Sequence, residues 1–593
     1  MNFLKTFLAA LLAVVAGSVL SILFWVIVLV AMAASVGSKT PVNVASNSIL
    51  VIDLAESLTD APSTDPLAGF DVLSMNRTPQ LSLFQTLGAI DAAADDDRIK
   101  GIYLRMNGTG GVESLALLEE LRETLEAFKE SGKFIVAYNE TYGQAGYYLA
   151  TVADRICLQP QGGIDWTGLS QELMFYKGLL DKLGVKAEAL RPTACKYKSA
   201  VEPYILDKMS PANREQMQQL VNSIWETLSG TVAEARGIDY DALQQITDEL
   251  QVVLPDEALE KGFVDALVYE DEMDDLFAEL GVEPDKRGDF RFVTLGDYLS
   301  QLGADLSHYA DPQVAIVYAS GSIVDGEGRE EICGNTLARK LAEVRKDKNV
   351  AAVVLRVNSP GGSALASDVI WREMELLRDE KPVVVSMGGY AASGGYYISC
   401  PADVIVADRM TLTGSIGVFG LMFNAHDALV NKLGVTVDGV RSNASAGMSL
   451  FQPLNATQRA AMMRGVDRVY ETFTNNVANG RNLPIDHVLE IAGGRVWSGD
   501  DALEIGLVDE IGGLKLAIAL AADKAGLGDD YRVTEEIDEP DGLAAILSSL
   551  QVQLRTKIRS SQLGVLTEDY ERIREALSQE GIRMYCPYRI DLR

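Results

Sequence analysis

The sequence has few of the residues on which hydrolase and metal sites are commonly built. Its 593 residues include only three histidines, His308, His426 and His487, and none lies in a nucleophile or metal motif. Five cysteines show no Cys-x-x-Cys spacing, so neither a zinc site nor a disulfide framework is predicted. Basic residues are also scarce, and the net charge of -32 argues against a phosphate backbone as partner. We therefore expect no metal, no cofactor and no nucleic-acid partner.

One stretch lacks charge altogether. Residues 7–34 are uncharged and follow a short flank, 1–6, that contains Lys5. At about 1.5 Å per residue such a helix reaches on the order of 40 Å, which predicts a single transmembrane anchor. The alternative is a cleaved signal peptide, because residues 31–33 resemble a cleavage site, but its apolar region is usually only about 7–15 residues. Lys5 and Lys39 balance each other, so charge does not specify the orientation.

The same pattern occurs twice in the rest of the chain. The matched pairs are 102–111 with 353–362, 134–137 with 383–386, 143–148 with 392–397, and 258–265 with 502–509. A chain of this length has room for two domains, so the matches predict a tandem repeat. The predicted boundaries are a linker over 35–47, an N-terminal repeat over 48–310, a C-terminal repeat over 311–535 and an extension over 536–593.

Within each repeat, short β-branched runs alternate with helical patterns, which predicts an α/β fold with a parallel sheet. Residues 115–128 show an apolar stripe with helical period. Gly262 and Gly506 each follow a helix where a left-handed residue is favoured. Residues 271–311 are predicted to be an irregular connection. In the extension we expect helices over 543–559 and 569–579 and a strand-like end over 582–592.

The two copies differ at polar positions. Ser393 in the second copy matches Gln144 in the first, and Lys198 in the first matches Met448 in the second. Both copies must keep what the fold requires, so a structural role does not account for this asymmetry. The competing explanation for Ser393 is an N-cap, the usual role of a serine at a helix start.

A serine hydroxyl needs a base to become a nucleophile near neutral pH. With no suitable histidine, a lysine can serve if burial lowers its pKa, and Lys198 is the candidate. A solvated surface lysine is the alternative, which fits Lys196 better. Gly361 and Gly362 lie between a strand and a helix, where backbone N–H groups can face an anion, although an ordinary turn would look similar.

Four motifs together resemble the signal peptide peptidase A family in its long tandem-repeat form, which is peptidase family S49 of the Clp-protease/crotonase superfamily. They are Ser-Pro-Gly-Gly-Ser at 359–363, Tyr-Ala-Ala-Ser-Gly-Gly-Tyr-Tyr at 390–397, Leu-Thr-Gly-Ser-Ile-Gly-Val at 412–418 and Tyr-Lys-Ser-Ala-Val-Glu-Pro at 197–203. The resemblance implies two Clp-protease/crotonase-like repeats after a transmembrane helix. It implies a serine endopeptidase without cofactor that degrades residual signal peptides and other short or unfolded peptides at the bacterial cytoplasmic membrane.

The resemblance also assigns roles. Ser393 would be the nucleophile, Lys198 the general base and Ser415 the residue that orients the lysine. The amide of Gly361 or Gly362, with that of Ser393, would form the oxyanion hole. The first copy departs from the pattern at Gln144 and at residues 108–109, so we expect it to be catalytically incomplete. A single-pass protein with an extracytoplasmic body, assembled as a homo-oligomer and by resemblance a tetramer, is the expected form.

Two other functions are compatible with parts of the sequence. A crotonase-like acyl-CoA enzyme could use the same fold to hold a thioester oxyanion, but it would not need a paired serine and lysine. A non-catalytic membrane scaffold would leave the Ser/Gln and Lys/Met asymmetry without a cause. Reaction with a serine-directed phosphonate distinguishes both from a serine peptidase.

Overall fold

The computed structural model describes residue 17 and residues 44–54, 57–63, 65, 70–71, 76–77, 80–105, 112–302, 312–329, 331–528, 530–537, 582–586 and 588. Apart from residue 17, the predicted anchor over 7–34 lies outside these residues, as do the helices predicted over 543–559 and 569–579. Within the described residues, no helix combines the length and the apolar character needed to cross a bilayer.

The first repeat begins with Ser48 and alternates strands with helices. Its strands are β1 (Ser48–Asp53), β2 (Ser57–Thr59), β3 (Phe70–Asp71), β4 (Asn76–Arg77), β5 (Gln80–Ser82), β6 (Ile99–Arg105), β7 (Phe134–Tyr142), β8 (Arg155–Ile164), β9 (Lys186–Leu190), β10 (Ala266–Leu267) and β11 (Arg291–Thr294). Its helices are α1 (Leu83–Asp95), α2 (Leu115–Lys129), α3 (Gln144–Ala150), α4 (Lys177–Leu183), α5 (Glu202–Ile205), α6 (Pro211–Arg236), α7 (Tyr240–Asp248), α8 (Pro255–Glu260), α9 (Met273–Glu279) and α10 (Leu295–Leu302).

The second repeat has the same succession of main-sheet strands, with different elements between them. Its strands are β12 (Gln313–Ser320), β13 (Ile323–Val324), β14 (Ile332–Cys333), β15 (Val350–Ser359), β16 (Gly361–Ser363), β17 (Val383–Ala392), β18 (Val404–Ala407), β19 (Leu412–Gly414), β20 (Phe419–Asn424), β21 (Val496–Trp497), β22 (Glu510–Ile511) and β23 (Arg532–Glu536). Its helices are α11 (Gly334–Lys346), α12 (Ala364–Arg378), α13 (Gly394–Ser399), α14 (Ala456–Gly480), α15 (Ile485–Ile491), α16 (Gly499–Glu504) and α17 (Leu514–Lys524). A last strand, β24 (Ile582–Tyr585), lies in the extension.

The two main sheets share one topology, which confirms the α/β prediction. In the first, the order β10-β8-β7-β6-β1-β11 is parallel throughout. In the second, β22, β18, β17, β15, β12 and β23 repeat that order, again in parallel. Gly262 and Gly506 have φ of 77° and 78°, as predicted for residues that end a helix in the left-handed region.

The predicted irregular connection over 271–311 is wrong. The segment contains α9, β11 and α10, and β11 pairs with the open edge of β1. An unpaired strand edge leaves backbone N–H and C=O groups without hydrogen-bond partners, and β11 provides partners for those along this edge of β1. Of the strand-like end predicted over 582–592, β24 forms Ile582–Tyr585, and residues 587 and 589–592 lie outside the described residues.

Helix α2 lies between the repeats, and this position explains its buried charges. Its apolar stripe packs in the core of the first repeat, as predicted. On its other side, Glu120 accepts a hydrogen bond of 2.6 Å from Arg356, which is fully buried and also donates to Asp60. Carboxylates of the first repeat therefore neutralise a cation of the second, and loss of one partner would leave an uncompensated buried charge.

A strand of the first repeat also joins a sheet of the second. After α4 the chain enters β9, which pairs antiparallel with β20 of the second repeat. The resulting sheet has the order β14-β13-β16-β24-β20-β9 and combines strands from the first repeat, the second repeat and the extension. Because Lys198 follows β9 by eight residues, the pairing of β9 with β20 places Lys198 next to the second repeat.

Candidate active site

Ser393 occupies a strained turn between β17 and α13. Its φ of 58° and ψ of -109° lie outside the regions that non-glycine residues usually adopt, at a cost of about 1–3 kcal/mol. The hydroxyl makes no capping hydrogen bond to the helix, so the structure does not support the N-cap explanation. The turn instead aims the hydroxyl at Lys198.

Lys198 lies in the interior of the protein, with 1% of its surface exposed. Its Nζ is 2.6 Å from Ser393 Oγ, 2.7 Å from the carbonyl oxygen of Ser415 and 2.8 Å from Ser415 Oγ. Burial disfavours the charged form and lowers the pKa of Lys198 from 10.5 to about 7. The structure thus brings together the three side chains predicted from sequence, and Lys198 is not a surface lysine.

Ser415 is fixed by its own backbone. Its φ is 51°, and its amide donates a 2.7 Å hydrogen bond to the carbonyl of Arg495. Both of its oxygens face the lysine. A neutral amine has two hydrogens and one lone pair. If the hydrogens go to the two Ser415 oxygens, the lone pair faces Ser393 Oγ.

The predicted oxyanion hole needs a correction. The amide of Ser393 donates a 2.8 Å hydrogen bond to the carbonyl of Gly414, so it is already committed. The amide of Gly394, the first residue of α13, lies closer to the glycine turn: a Cβ built on Gly361 would be 2.6 Å from Gly394 N. Gly361 has a φ of 97°, which favours glycine there for conformational as well as steric reasons.

The matching position in the first repeat has a different use. Gln144 Oε1 accepts hydrogen bonds from the amides of Thr167 and Gly168, at 3.1 and 2.8 Å, and its Nε2 donates to the Gly168 carbonyl at 3.1 Å. This side chain holds a loop in place. Met448, the counterpart of Lys198, is 59% exposed. The first copy therefore does not assemble a comparable pair.

Comparison with known proteins shows the family to which the chain belongs. The family model described as peptidase family S49 matches the chain twice, over residues 127–281 and 375–528. The chain belongs to peptidase family S49. The two matches fall in the two repeats, so this S49 chain is a tandem duplication of the family's domain.

Relatives of this S49 chain are similar over most of its length. Protease 4 of Haemophilus influenzae is 39% identical over 510 residues, covering 83% of this chain and 82% of that protein. Protease 4 of Salmonella typhi is 34% identical over 576 residues, covering 95% and 92%. The chloroplastic serine protease SPPA of Arabidopsis thaliana is 34% identical, covering 81% and 71%. The protein is thus a serine protease of the S49 family.

Sequence reasoning did not find every residue at the site. Cys586 and Tyr588, in the extension, are 1% and 3% exposed and reach the neighbourhood of the lysine and of Ser199. The only sequence signal was the strand-like pattern near residue 582. The amide of Gly394 was missed because its importance depends on the backbone conformation of Ser393.

Proposed function

We propose that Ser393 and Lys198 form a Ser/Lys dyad that performs the serine peptidase reaction of this S49 chain. The observation that carries the proposal is the 2.6 Å contact between Lys198 Nζ and Ser393 Oγ, both of which are buried. With a pKa of about 7, a large share of the lysine is neutral at physiological pH and able to accept a proton.

In this mechanism Lys198 takes the proton of Ser393 as its Oγ attacks the scissile carbonyl carbon. The oxygen that becomes negative is stabilised by backbone amides, for which the turn at Gly361 and Gly362 and the amide of Gly394 are the candidates. Lys198 then donates the proton to the leaving amine, which leaves an acyl ester on Ser393. Water, deprotonated by the same lysine, hydrolyses that ester.

We further propose that the substrates are short or unfolded peptides, among them residual signal peptides, at the bacterial cytoplasmic membrane. The uncharged stretch over 7–34 supports a single-pass anchor with an extracytoplasmic body. An extended chain also suits the site, because the dyad is adjacent to the short strands β16 and β20.

A fluorophosphonate probe tests the assignment of the nucleophile. The full chain is labelled, digested and mapped by mass spectrometry, and we expect the modification on Ser393 and none in the Ser393→Ala variant. Labelling of another serine with equal efficiency in the Ser393→Ala variant would refute the dyad. A crotonase-like enzyme would show no covalent label and would instead act on an acyl-CoA.

Ser415 is proposed as a positioning residue. We expect Ser415→Gly to lower kcat by about 10- to 100-fold, because the lysine keeps only the carbonyl as a fixed partner and its amine can move off line. Glycine is chosen because the φ of 51° would strain other replacements. The pH profile distinguishes positioning from a structural effect: the midpoint of its acid limb should shift at unchanged melting temperature. An unaltered kcat and midpoint would remove Ser415 from the mechanism.

Assembly into a homo-oligomer is supported by a second copy of the segment that contains β9. Residues 429–440 repeat residues 179–190, and both contain the run Lys-Leu-Gly-Val. In the first copy Leu190 is 1% exposed and pairs with β20, whereas its counterpart Val440 is fully exposed. The described part of the chain gives residues 435–440 no strand partner. Because the two segments are related by duplication, we expect residues 435–440 to pair with a strand of a second copy of the chain, as β9 pairs with β20.

A substitution on this surface tests the assembly. We expect Val440→Asp to lower the light-scattering mass of the full chain in detergent, because a carboxylate cannot be buried where an apolar side chain is needed. Val253→Asp, at a 46% exposed site outside the segment, serves as the matched control. A mass unchanged by Val440→Asp, or a wild-type mass equal to one chain, would contradict the assembly while leaving the dyad unaffected.

A further inference from the structure

Residues 493–497, between α15 and α16, contact both segments that meet at the lysine. The amide of Tyr197, the residue before the proposed base, donates a 2.9 Å hydrogen bond to the carbonyl of Gly493. Two residues further on, the carbonyl of Arg495 accepts the amide of Ser415 at 2.7 Å. One short loop of the second repeat is therefore bonded to the segment that carries the base and to the segment that orients it.

The loop fits closely against the backbone of the lysine segment. Gly494 has a φ of 83°, and a Cβ built on it would be 2.6 Å from Lys198 Cβ and 2.7 Å from Lys198 N. A Cβ on Gly417 would be 3.0 Å from Gly494 Cα and 3.2 Å from Cys195 Sγ. Such contacts limit how near the lysine segment can approach the loop, but they do not hold it there.

The side chain of Arg495 provides an attraction between the two segments. Its Cζ is 4.3 Å from the centroid of the Trp497 ring and 5.4 Å from that of the Tyr197 ring. Glu215 Oε1 lies 3.7 Å from Arg495 Nη1 and accepts a 3.0 Å hydrogen bond from the Tyr197 hydroxyl. A cation within about 6 Å of a ring centroid is attracted by the ring, and a planar guanidinium can also stack on it.

The two rings belong to the two sides of the dyad. Tyr197 precedes Lys198 in the first repeat, whereas Trp497 lies in β21 and pairs with β19 of the second repeat. A Cβ built on Gly414, the residue before Ser415, would be 2.6 Å from Trp497 Cδ1. The guanidinium therefore connects the neighbour of the base to a ring that packs beside the neighbour of its orienting residue.

We propose that Arg495 is a positioning residue for the peptidase reaction: its guanidinium stacks on Tyr197 and Trp497 and thereby holds Lys198 against Ser415. The proposal rests on the dyad as the site of the reaction. Proton transfer requires the amine to stay within hydrogen-bond reach of the serine hydroxyl, so a lysine segment that moves away from the loop lowers the rate. Movement would also admit water to the amine.

Arg495→Met tests the proposal through the pH profile, because methionine keeps an unbranched stem and removes the guanidinium. Water that reaches the lysine favours its charged form, so the acid limb of kcat/KM should move to higher pH by about one unit. At pH 7 we expect kcat/KM to be about tenfold lower than in the wild type. At pH 9, where the amine is neutral in both proteins, part of this loss should be recovered.

Arg236→Met is the matched control. The Arg236 side chain is 12% exposed, against 15% for Arg495, and it forms an ion pair of 2.8 Å with Asp265 within the first repeat. Its loss should affect the melting temperature and leave the midpoint of the acid limb in place. An Arg495→Met profile with the wild-type midpoint, or with a shift no larger than that of Arg236→Met, would overturn the proposal.

Two variants of Tyr197 separate the stack from the charge of Arg495. Tyr197→Leu removes the ring and keeps the arginine, so we expect the same displacement of the acid limb to higher pH. Tyr197→Phe keeps the ring and loses only the hydrogen bond to Glu215, so its loss of activity should be much smaller. Equal losses in the two variants would assign the effect to the hydroxyl and contradict the stack.

Acetylation of the lysine provides a readout that does not depend on catalysis. The full chain is treated with the N-hydroxysuccinimide ester of acetic acid and mapped by mass spectrometry. Lys198, 1% exposed, should be protected in the wild type and in Arg236→Met, and it should be acetylated in Arg495→Met and Tyr197→Leu. The exposed Lys196 is the internal control and should react in every variant. Protection of Lys198 that persists in both stack variants would count against the proposal.

The two proposals fail in different ways. If Ser393→Ala still cleaves the peptide, the proposed dyad is wrong, whatever the acetylation of Lys198 shows. If Ser393→Ala is inactive but Arg495→Met keeps both the wild-type midpoint and the protection of Lys198, only the positioning role of Arg495 is wrong.

Discussion

Ser393→Ala is expected to lower kcat/KM for a peptide substrate by on the order of 10⁴-fold or more, because the reaction loses the atom that forms the acyl bond. The loss of one hydroxyl group hardly alters packing, so the melting temperature should stay close to that of the wild type. Hydrolysis of a fluorogenic peptide, measured beside a thermal melt, checks both expectations. Lys198→Met should cause a loss of similar order, since the serine then has no base.

Gln144→Ala is the matched control for this prediction, since the tandem repeat puts Gln144 at the position of Ser393. It breaks three hydrogen bonds that hold the loop at Thr167 and Gly168, so it should reduce stability by about 1–3 kcal/mol. At a temperature well below its melting point, its activity should be close to that of the wild type. Comparable loss of activity in Gln144→Ala and Ser393→Ala would contradict the assignment of catalysis to the second repeat.

Activity should fall about tenfold for each pH unit below about 7, which is a hundredfold loss by about pH 5. The direction follows from the base: burial lowers the pKa of Lys198 to about 7, and only the neutral amine accepts the serine proton. As pH falls through that value the lysine becomes protonated and the rate decreases. The measurement is kcat/KM against pH in buffers of constant ionic strength, which reports the free enzyme.

A histidine base would also cause activity to fall at acidic pH (the acid limb of the pH profile). A variant without histidine therefore distinguishes a histidine base from Lys198. Replacing His308, His426 and His487 together should leave the limb in place. The ring of His426 contacts the carbonyl of Phe451, and the ring of His487 contacts the carbonyl of Ile505, so neither contact involves the dyad. Disappearance of the limb in this variant, with activity retained, would identify a histidine and exclude Lys198 as the base.

Local sequence patterns were sufficient to predict the repeats, the α/β class and the candidate dyad. The α/β class follows from the length and period of apolar runs, which the strands of the two sheets and α2 reproduce. The dyad could be predicted because duplication provides an internal control. Ser393 and Lys198 stood out against Gln144 and Met448, and this contrast does not require knowledge of the tertiary structure.

Other features depend on contacts that sequence does not display. Strand β11 is only four residues long, and its conformation is determined by the open edge of β1. The polar side of α2 has the composition of a solvated surface, but the second repeat covers it and provides Arg356. The amide of Ser393 donates to the Gly414 carbonyl and is not free for the oxyanion. This arrangement occurs in a turn with a positive φ at Ser393, which no local preference for serine predicts.

The pairing of β24 with β16 was the least predictable feature. More than 200 residues separate the two strands along the chain, and the pattern near residue 582 predicts a strand without naming its partner. The exchange of β9 onto β20 is similar in kind, because the strand lies in one repeat and its partner in the other. The pairing of β9 with β20 brings Lys198 to the surroundings of Ser393, and that of β24 with β16 brings Cys586 there.

The rate at which a fluorophosphonate modifies Ser393, measured from pH 5 to 9, tests the central claim most directly, since it reports nucleophile and base in one experiment. The account predicts a single modified residue, Ser393, with a rate that falls about tenfold per pH unit below about 7 and is nearly abolished in Lys198→Met. Modification of Ser393 at the wild-type rate in Lys198→Met, with the same pH dependence, would contradict it.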